Sequence, residues 1–392
     1  MINRILTPRD ILVGGGARHE LAGLLNSRGV KRPLVVTDPT MVQVGHAADI
    51  IDGLTAAGLD AGLFAESVED PTDVSVAALV AVAQAGKHDG LVALGGGSAI
   101  DTAKAAGIVL ATDEPLNALK VPRIVDVDAM PLIAIPTTAG TGSEVTRAAV
   151  VTDTDANEKM LILGAAALPT AAIVDYELTF TCPFRVTVDT GIDALTHALE
   201  ALVNRNANPH SDALALSGLA LIGGHLETAA RDPQNAAARE AVMLGATHAG
   251  LAVSNTSTAL IHGLSRPIGA FFHVPHGMSN AMVLPLVTQF SLSAAPTKYA
   301  MAARALGLAA QDISDQAAGA LLVRAFQDMN SRLEVPTPES FGIERGRYME
   351  LIPEMARQGM ASGTPNNNPR VPTPDDMARL YTLAFDGQLD AA

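Results

Sequence analysis

The chain has 392 residues, 48% of them hydrophobic and 17% charged, a composition that can fill a sizeable core and excludes a disordered chain. Its 26 basic and 41 acidic residues give a formal net charge of −15, which disfavours nucleic acid as a partner but leaves room for a small anion held by one local cation. The single cysteine, Cys182, rules out an internal disulfide and argues against a Cys-based zinc or iron–sulfur site; it reads as a small buried residue.

The N-terminus, MINRILTPRD, lacks an apolar stretch and a small-residue cleavage site, so no signal peptide is expected. The longest apolar runs are broken by Gly, Pro or charge well short of about 20 residues, so no transmembrane helix is expected and a cytoplasmic location is the default. The length allows two domains of roughly 150 residues each.

Along the chain, residues 11–13 form a short apolar run ending in Gly14-Gly15-Gly16. Residues 33–38 (PLVVTD) predict a buried strand, and residues 63–64 lie in another short one. Residues 90–94 (GLVAL) end at Gly95-Gly96-Gly97, and residues 131–135 (PLIAI) end at Pro136. Ala-rich stretches at 73–85 and 99–111 have helical spacing and length. Such alternation implies βαβ units around a parallel sheet, so residues 1–182 are expected to form a Rossmann-like α/β domain. After Cys182, β-branched runs become rare. The stretches 188–203, 211–229, 236–252, 297–305 and 314–329 predict an all-α domain over 183–392. The boundary near 178–185 carries a proline and no long linker, and residues 365–375 (PNNNPRVPTPD) form a turn-rich loop before a last helix.

Four residues stand out as metal ligands. Asp193 and His197 are four apart in DTGIDALTHALE, which on a helix places both side chains on one face, one turn apart. Alone, that pair reads first as a surface polar pair. His262 and His276 follow in HGLSRPIGAFFHVPHG. One carboxylate with three imidazoles suits Zn²⁺ or Fe²⁺ and is too rich in nitrogen for Ca²⁺ or Mg²⁺. His273, three residues before His276, reads as a loop or supporting histidine instead.

The glycine-rich turns point to a phosphate. Gly95-Gly96-Gly97-Ser98 follows a predicted strand and opens a predicted helix, where free N–H groups favour an anion. It is not a GxGxxG fingerprint, and an ordinary tight turn has the same composition. Asp38, at the end of PLVVTD, can accept hydrogen bonds from an adenosine ribose and repel a 2′-phosphate, which favours NAD(H) over NADP(H); it can equally cap a helix. Residues 136–146 (PTTAGTGSEVT) make a polar loop able to line a pyrophosphate, with six Thr, Ser or Gly among residues 137–143.

Together these stretches resemble the iron-containing (group III) alcohol dehydrogenase family over nearly the whole chain. The resemblance rests on GGGSAIDTAK (95–104), PTTAGTGSEVT (136–146), DALTHALEA (193–201), HGLSRPIGAFFHVPHGMSNAMVLP (262–285) and NPR (368–370). It implies a dehydroquinate synthase-like architecture with an N-terminal dinucleotide-binding domain, a helical C-terminal domain and an active site in the cleft between them. It implies metal ligands at Asp193, His197, His262 and His276. It implies nucleotide contacts at Asp38, Gly95, Gly96, Gly97, Ser98, Thr137, Thr138 and Thr141, with Asp101, Ser143 and Lys159 as further contacts. It implies Fe²⁺, with Zn²⁺ able to take its place, and a homodimer or larger homo-oligomer. The expected activity is NAD(H)-linked hydride transfer to or from a small primary alcohol or aldehyde, with the metal as Lewis acid.

Departures from the family pattern bear on the substrate. Arg266 stands where most alcohol-oxidising members carry a second histidine, and a permanently charged guanidinium cannot relay a proton. It can bind a substrate carboxylate, such as that of 4-hydroxybutyrate or succinate semialdehyde, or it can pair with a protein carboxylate. Val253 replaces an aromatic in Ala252–Asn255, and Asp70 begins the segment that usually reads NPT. Competing readings are a maleylacetate reductase-like enzyme, a hydroxyacid–oxoacid transhydrogenase with retained cofactor, and a non-catalytic nucleotide- or metal-binding sensor.

Overall fold

A computed structural model describes residues 2–156, 158–387 and 389. The chain divides into two compact units, residues 2–182 with 233–250, and residues 183–232 with 251 onward.

The first unit contains β1 (Asp10–Val13), α1 (Leu21–Ser27), β2 (Pro33–Val36), α2 (Pro39–Gln43), α3 (His46–Ala56), β3 (Gly62–Phe64) and α4 (Asp73–Ala85). It continues with β4 (Gly90–Gly95), α5 (Gly97–Thr112), α6 (Leu116–Leu119), β5 (Leu132–Pro136), β6 (Ala148–Asp153), β7 (Glu158–Leu163) and β8 (Ala171–Val174). Six strands form one parallel sheet in the order β1-β8-β5-β4-β2-β3, while β6 and β7 pair as an antiparallel hairpin. Strands β2, β4, β5 and β8 are buried along their whole length, as a parallel sheet covered on both faces requires. Alternate residues feed two cores. Leu34, Val36, Leu91 and Ala93 pack with Val76 and Leu79 of α4 and Ile100 and Ala103 of α5, while Val35, Val92, Leu94 and Ile133 pack with Leu25 of α1 and Ile50 of α3.

This layout sets the turns that matter. Asp38, the glycine turn and residues 137–146 follow the C-terminal ends of β2, β4 and β5, which are adjacent in the sheet. In open α/β sheets ligands bind at that end of the strands. The expected strand over 33–38 stops at Val36 because Asp38 starts α2 as its N-cap. The hairpin β6–β7 and strand β8 escape the sequence pattern. The hairpin alternates buried and half-exposed residues, and β8 is only four residues long.

The second unit is helical. It holds α7 (Phe184–Val203) and α8 (Pro209–Arg231), then, after α9 (Ala236–Ser254), the helices α10 (Leu260–Phe272), α11 (His276–Ser291), α12 (Pro296–Ala305), α13 (Asp315–Arg332), α14 (Arg345–Ala361) and α15 (Pro374–Asp386). Residues 233–250, most of α9, belong with the α/β unit and not with the helical half in which the sequence places them. There Gly142 and Gly250 touch backbone to backbone: a Cβ on Gly142 would lie 2.5 Å from the Gly250 Cα. Helix α8 is long and apolar enough, by length and composition, to cross a bilayer, which the sequence reading did not anticipate. It packs closely on α7, buries Ala215, Leu219, Ile222 and Leu226, and carries His210, Asp212, Glu227 and Arg231, the pattern of a core-facing helix.

Candidate active site

The four expected ligands all lie in the helical unit. Asp193 and His197 sit one turn apart on α7, a helix buried almost from end to end after its first turn. His262 lies in the first turn of α10, and His276 is the first residue of α11. Gly277 lets α11 start against α7, since a Cβ there would fall 1.9 Å from the Asp189 carbonyl oxygen. Asp193 Oδ1 is the common point. His262 Nε2 is 3.5 Å from it, His276 Nε2 3.6 Å and His197 Nε2 3.8 Å. The ligand atoms of Asp193, His262 and His276 lie within 4.8 Å of one another. The His197 ring stacks on His262 at 4.7 Å between centroids.

The electrostatics follow from burial and proximity. Burial alone would raise the Asp193 pKa, but His197, His276 and His262 together hold its carboxyl well below the usual range. Burial pushes His197 down against the attraction of Asp193. His262 moves up despite its burial, because Glu200 and Asp193 both favour its charged form. An ionised carboxylate among imidazoles is the protonation state in which a divalent cation is bound. One oxygen and three nitrogens of intermediate softness fit Fe²⁺ or Zn²⁺.

Two neighbours escaped the sequence reading. Glu200 lies one turn beyond His197 on α7, continuing the 193, 197, 200 spacing of one helix face. It accepts a 2.7 Å hydrogen bond from His262 Nδ1. Asn280, one turn after His276 on α11, donates from Nδ2 to Asp193 Oδ1 at 2.8 Å, and Ser265 Oγ donates to its Oδ1. The i, i+4 spacing of His276 and Asn280 was a readable signal for the second. His273 is exposed in left-handed conformation (φ 54°) at the C-cap of α10, outside the cluster. Arg266 is exposed, one turn after His262, and among the described residues it has no hydrogen-bond or ion-pair partner. Its charge reaches the cluster, helping to lower the pKa of His197 and His276.

The nucleotide candidates lie in the α/β unit. Helix α5 starts at Gly96 with no side-chain cap, so its first N–H groups are free for an anion. Gly95 has φ +149°, and a Cβ there would lie 2.9 Å from Ala99 and 3.2 Å from Asp38 Oδ2. A Cβ on Gly97 would meet Thr141 Cγ2 at 2.9 Å, and one on Gly96 would be 3.6 Å from Thr138 Oγ1. The glycine turn is therefore lined by Asp38, Thr138 and Thr141, and the glycines form a cradle that side chains would fill. Thr137 is buried, its N–H on the Gly95 carbonyl at 3.0 Å. The hydroxyls of Ser98 and Thr138 have no protein partner among the described residues. Asp38 does cap α2, accepting from Thr40 and Met41 through Oδ1, which leaves Oδ2 toward Gly95.

Three further candidates are engaged elsewhere. Asp101 accepts from Ser143 Oγ at 2.5 Å and from the Val150 N–H at 2.9 Å, so both residues brace the loop from inside. Lys159, exposed on β7, pairs with Asp70 at 2.5 Å. Beneath the loop is a buried cation whose role the sequence does not announce. Lys104 donates to the Thr146 and Ala148 carbonyls at 2.9 and 2.8 Å and to Thr146 Oγ1 at 3.1 Å.

A dinucleotide-type α/β unit followed by a helical unit with one buried carboxylate among three histidines defines a metal-linked dehydrogenase class. Residues 8–176 match the iron-containing alcohol dehydrogenase domain, and residues 187–385 match the Fe-containing alcohol dehydrogenase family C-terminal domain. The chain is 35% identical to the NAD-dependent methanol dehydrogenase of Bacillus methanolicus over 98% of this chain and 100% of that one. It is 33% identical to the sulfoacetaldehyde reductase of Bilophila wadsworthia over 97% of this chain and 98% of that one. The crystal structure of a 1,3-propanediol oxidoreductase superposes with a TM-score of 0.95 at 30% identity, covering 98% of this chain and 100% of that one. The chain belongs to the iron-containing alcohol dehydrogenase family, with its dehydroquinate synthase-like fold, and is an oxidoreductase of the alcohol dehydrogenase and aldehyde reductase type.

Proposed function

We propose that this chain interconverts a small primary alcohol and its aldehyde with NAD(H), using one divalent ion held by Asp193, His197, His262 and His276. Fe²⁺ is the proposed ion, and Zn²⁺ suits the same donors. The observation that carries the reading is the convergence of Asp193, His262 and His276 on a single point, their ligand atoms within 4.8 Å. When bound, the ion supplies Lewis acidity to the substrate oxygen, and the nicotinamide supplies or accepts the hydride. The residues of the chain bind and orient. The open N-terminus of α5, with the free hydroxyls of Ser98 and Thr138, takes the cofactor phosphates. Asp38 Oδ2 takes the adenosine ribose, and a 2′-phosphate beside that carboxylate is repelled, which favours NAD(H). The chain is proposed to act in the cytoplasm as a homodimer or larger homo-oligomer, a state that sedimentation measures directly.

Arg266 selects among substrates. The absence of a hydrogen-bond or ion-pair partner for it among the described residues favours the substrate-anion role over internal pairing. Its position one turn after the proposed ligand His262 on α10 supports that reading. A guanidinium so placed binds a carboxylate bidentately, as on 4-hydroxybutyrate or succinate semialdehyde. Sulfoacetaldehyde, named in one relative, likewise couples an anion to an aldehyde.

The test is NADH oxidation by metal-stripped protein with succinate semialdehyde and with a neutral aldehyde of similar length, each with and without Fe²⁺ or Zn²⁺. Metal-dependent turnover favouring the semialdehyde, lost in Arg266→His, supports both roles. Preference for the neutral aldehyde discards the anion role and keeps the dehydrogenase. Metal-indifferent turnover moves the assignment toward a maleylacetate reductase-like enzyme. Turnover of a hydroxyacid–oxoacid pair without added cofactor indicates a transhydrogenase, and no turnover across a broad panel indicates a sensor.

A further inference from the structure

Glu200 is among the most completely engaged side chains of the helical unit, and nothing in the ligand set calls for it. It is almost wholly buried on α7. Its Oε1 accepts from the backbone N–H of Ile261 at 2.6 Å and of His262 at 3.2 Å. Its Oε2 accepts from the Ala259 N–H at 2.8 Å and from His262 Nδ1 at 2.7 Å. Helix α10 has no cap of its own, because Ala259 offers no side-chain acceptor. Glu200 therefore neutralises the positive end of α10 from a different helix.

The fourth hydrogen bond has a chemical consequence. Both oxygens of Glu200 already accept backbone N–H groups, and Oε2 meets His262 Nδ1 at 2.7 Å, the surroundings of an ionised carboxylate. An ionised carboxylate only accepts, so His262 Nδ1 must carry a proton. In the neutral imidazole the lone pair then lies on Nε2, the atom 3.5 Å from Asp193 Oδ1. We propose that Glu200 is a positioning residue that fixes His262 as the Nδ1–H tautomer and aims its Nε2 lone pair at the point shared with Asp193 and His276. This rests on the four-ligand reading above and assigns the site a fifth residue that does not touch the ion.

The isosteric change Glu200→Gln keeps two of the three backbone hydrogen bonds of the cap, losing that of Ala259, and reverses the polarity that Nδ1 meets. A glutamine oxygen can still accept the N–H groups of Ile261 and His262. Its NH₂ group, in place of Oε2, meets Nδ1 as a donor and favours the opposite tautomer, with the proton on Nε2 where the ion must bind. Loss of a partner behind a ligating histidine weakens metal affinity about 10–100-fold.

Co²⁺ is titrated into metal-stripped full-length wild type and E200Q in competition with a chromophoric chelator, and the visible Co²⁺ bands are recorded. The expected result is folded E200Q, by far-UV circular dichroism, with a Co²⁺ Kd weaker by about 10–100-fold and altered bands. Folded E200Q with wild-type Kd and bands would overturn the proposal and leave Glu200 a helix cap. If E200Q does not fold, Zn²⁺-loaded wild type labelled with ¹⁵N-histidine decides, with His262 assigned by its loss in H262N. A proton on Nδ1 and none on Nε2 supports the proposal, and a proton on Nε2 overturns it. Failure of the wild type itself to bind Co²⁺ overturns the four-ligand reading, a result distinct from an unaffected variant.

Discussion

Replacing Lys104 with methionine removes one charge and three hydrogen bonds from the interior of the α/β unit while nearly keeping the volume. The ammonium is fully enclosed, with Asp101 Oδ1 at 3.9 Å and Glu144 close enough to influence its titration. Burial raises the pKa of both carboxyls, so neither is comfortable without its cation. In K104M the Thr146 and Ala148 carbonyls lose their donor, and removing one member of a buried ionic cluster costs about 3–5 kcal/mol. For a unit of about 200 residues, each kcal/mol moves Tm by roughly 2–4 °C, so the expected fall is roughly 6–20 °C. A second signature is pH dependence. Burial pushes the Lys104 pKa down from 10.5 to about 8, against the pull of Asp101 and Glu144. Between those values the unfolded chain holds a proton that the folded chain has lost, so this group's contribution to stability rises with pH through that window. It is fully present above 10.5 and lost as pH falls through about 8. The assay is urea denaturation of wild type and K104M followed by circular dichroism at pH 7, 8.5 and 9.5. K104M should be less stable at pH 7 and should lack the alkaline gain. A variant within about 1 kcal/mol of wild type with an identical pH slope would refute the reasoning.

Removing bound metal by chelation should lower the Tm of the wild type, because an ion present at 1,000 times its Kd stabilises the folded state by about 4 kcal/mol; calorimetry of Asp193→Asn should show no such shift on adding Zn²⁺. In Gly97→Val the added methyls press on Thr141, whose Cγ2 is already 2.9 Å from an ideal Cβ, so NADH affinity measured by fluorescence should fall about tenfold or more, near 1.4 kcal/mol. Metal affinity should not move. Asp38→Ser keeps a helix cap for α2 but removes the charge beside Gly95, so the NADH-over-NADPH preference should narrow by about tenfold with little change in Tm.

Much of this was legible in the sequence where one period dominates. Strands β2, β4 and β5 announce themselves as short apolar runs because both faces of a parallel sheet are covered, and α4 spans 73–85 as its spacing predicts. The helices that present two of the histidines were not predicted as helices. Helix α10 contains Pro267 and α11 contains Pro285, and a proline inside a helix reads locally as a break. Tertiary packing overrides that local cost: His262, Gly263, Leu264 and Ser265 are buried on α10, and nearly all of α11 is buried after its first residue. For the same reason the histidines could be identified by type and order but not by the elements that carry them. Asp101 and Ser143 show the opposite failure. A dense polar loop reads as a ligand surface, yet part of its polarity is turned inward to brace the loop itself.

Those inward groups and the histidine cluster share one physical feature. Each unit buries charge where a purely structural interior would use aliphatic side chains, Lys104 with Glu144 and the half-buried Asp101 in one, and Asp193 and Glu200 with His197 and His262 in the other. Buried ionic groups seldom stabilise a fold relative to apolar replacements, so their presence calls for a different reason. In the helical unit the proposed reason is a donor set for a metal ion. Asp193 must stay ionised to bind a cation, and Glu200 must stay ionised to keep a proton on the far side of His262. In the α/β unit the charges hold backbone. Lys104 ties the carbonyls at 146 and 148, Asp101 ties the N–H of Val150, and the loop between β5 and β6 is thereby fixed against the glycine turn that opens α5. Methionine at 104 leaves the Thr146 and Ala148 carbonyls and the two carboxyls without their cation as well as releasing that loop, which is why K104M is expected to lose stability.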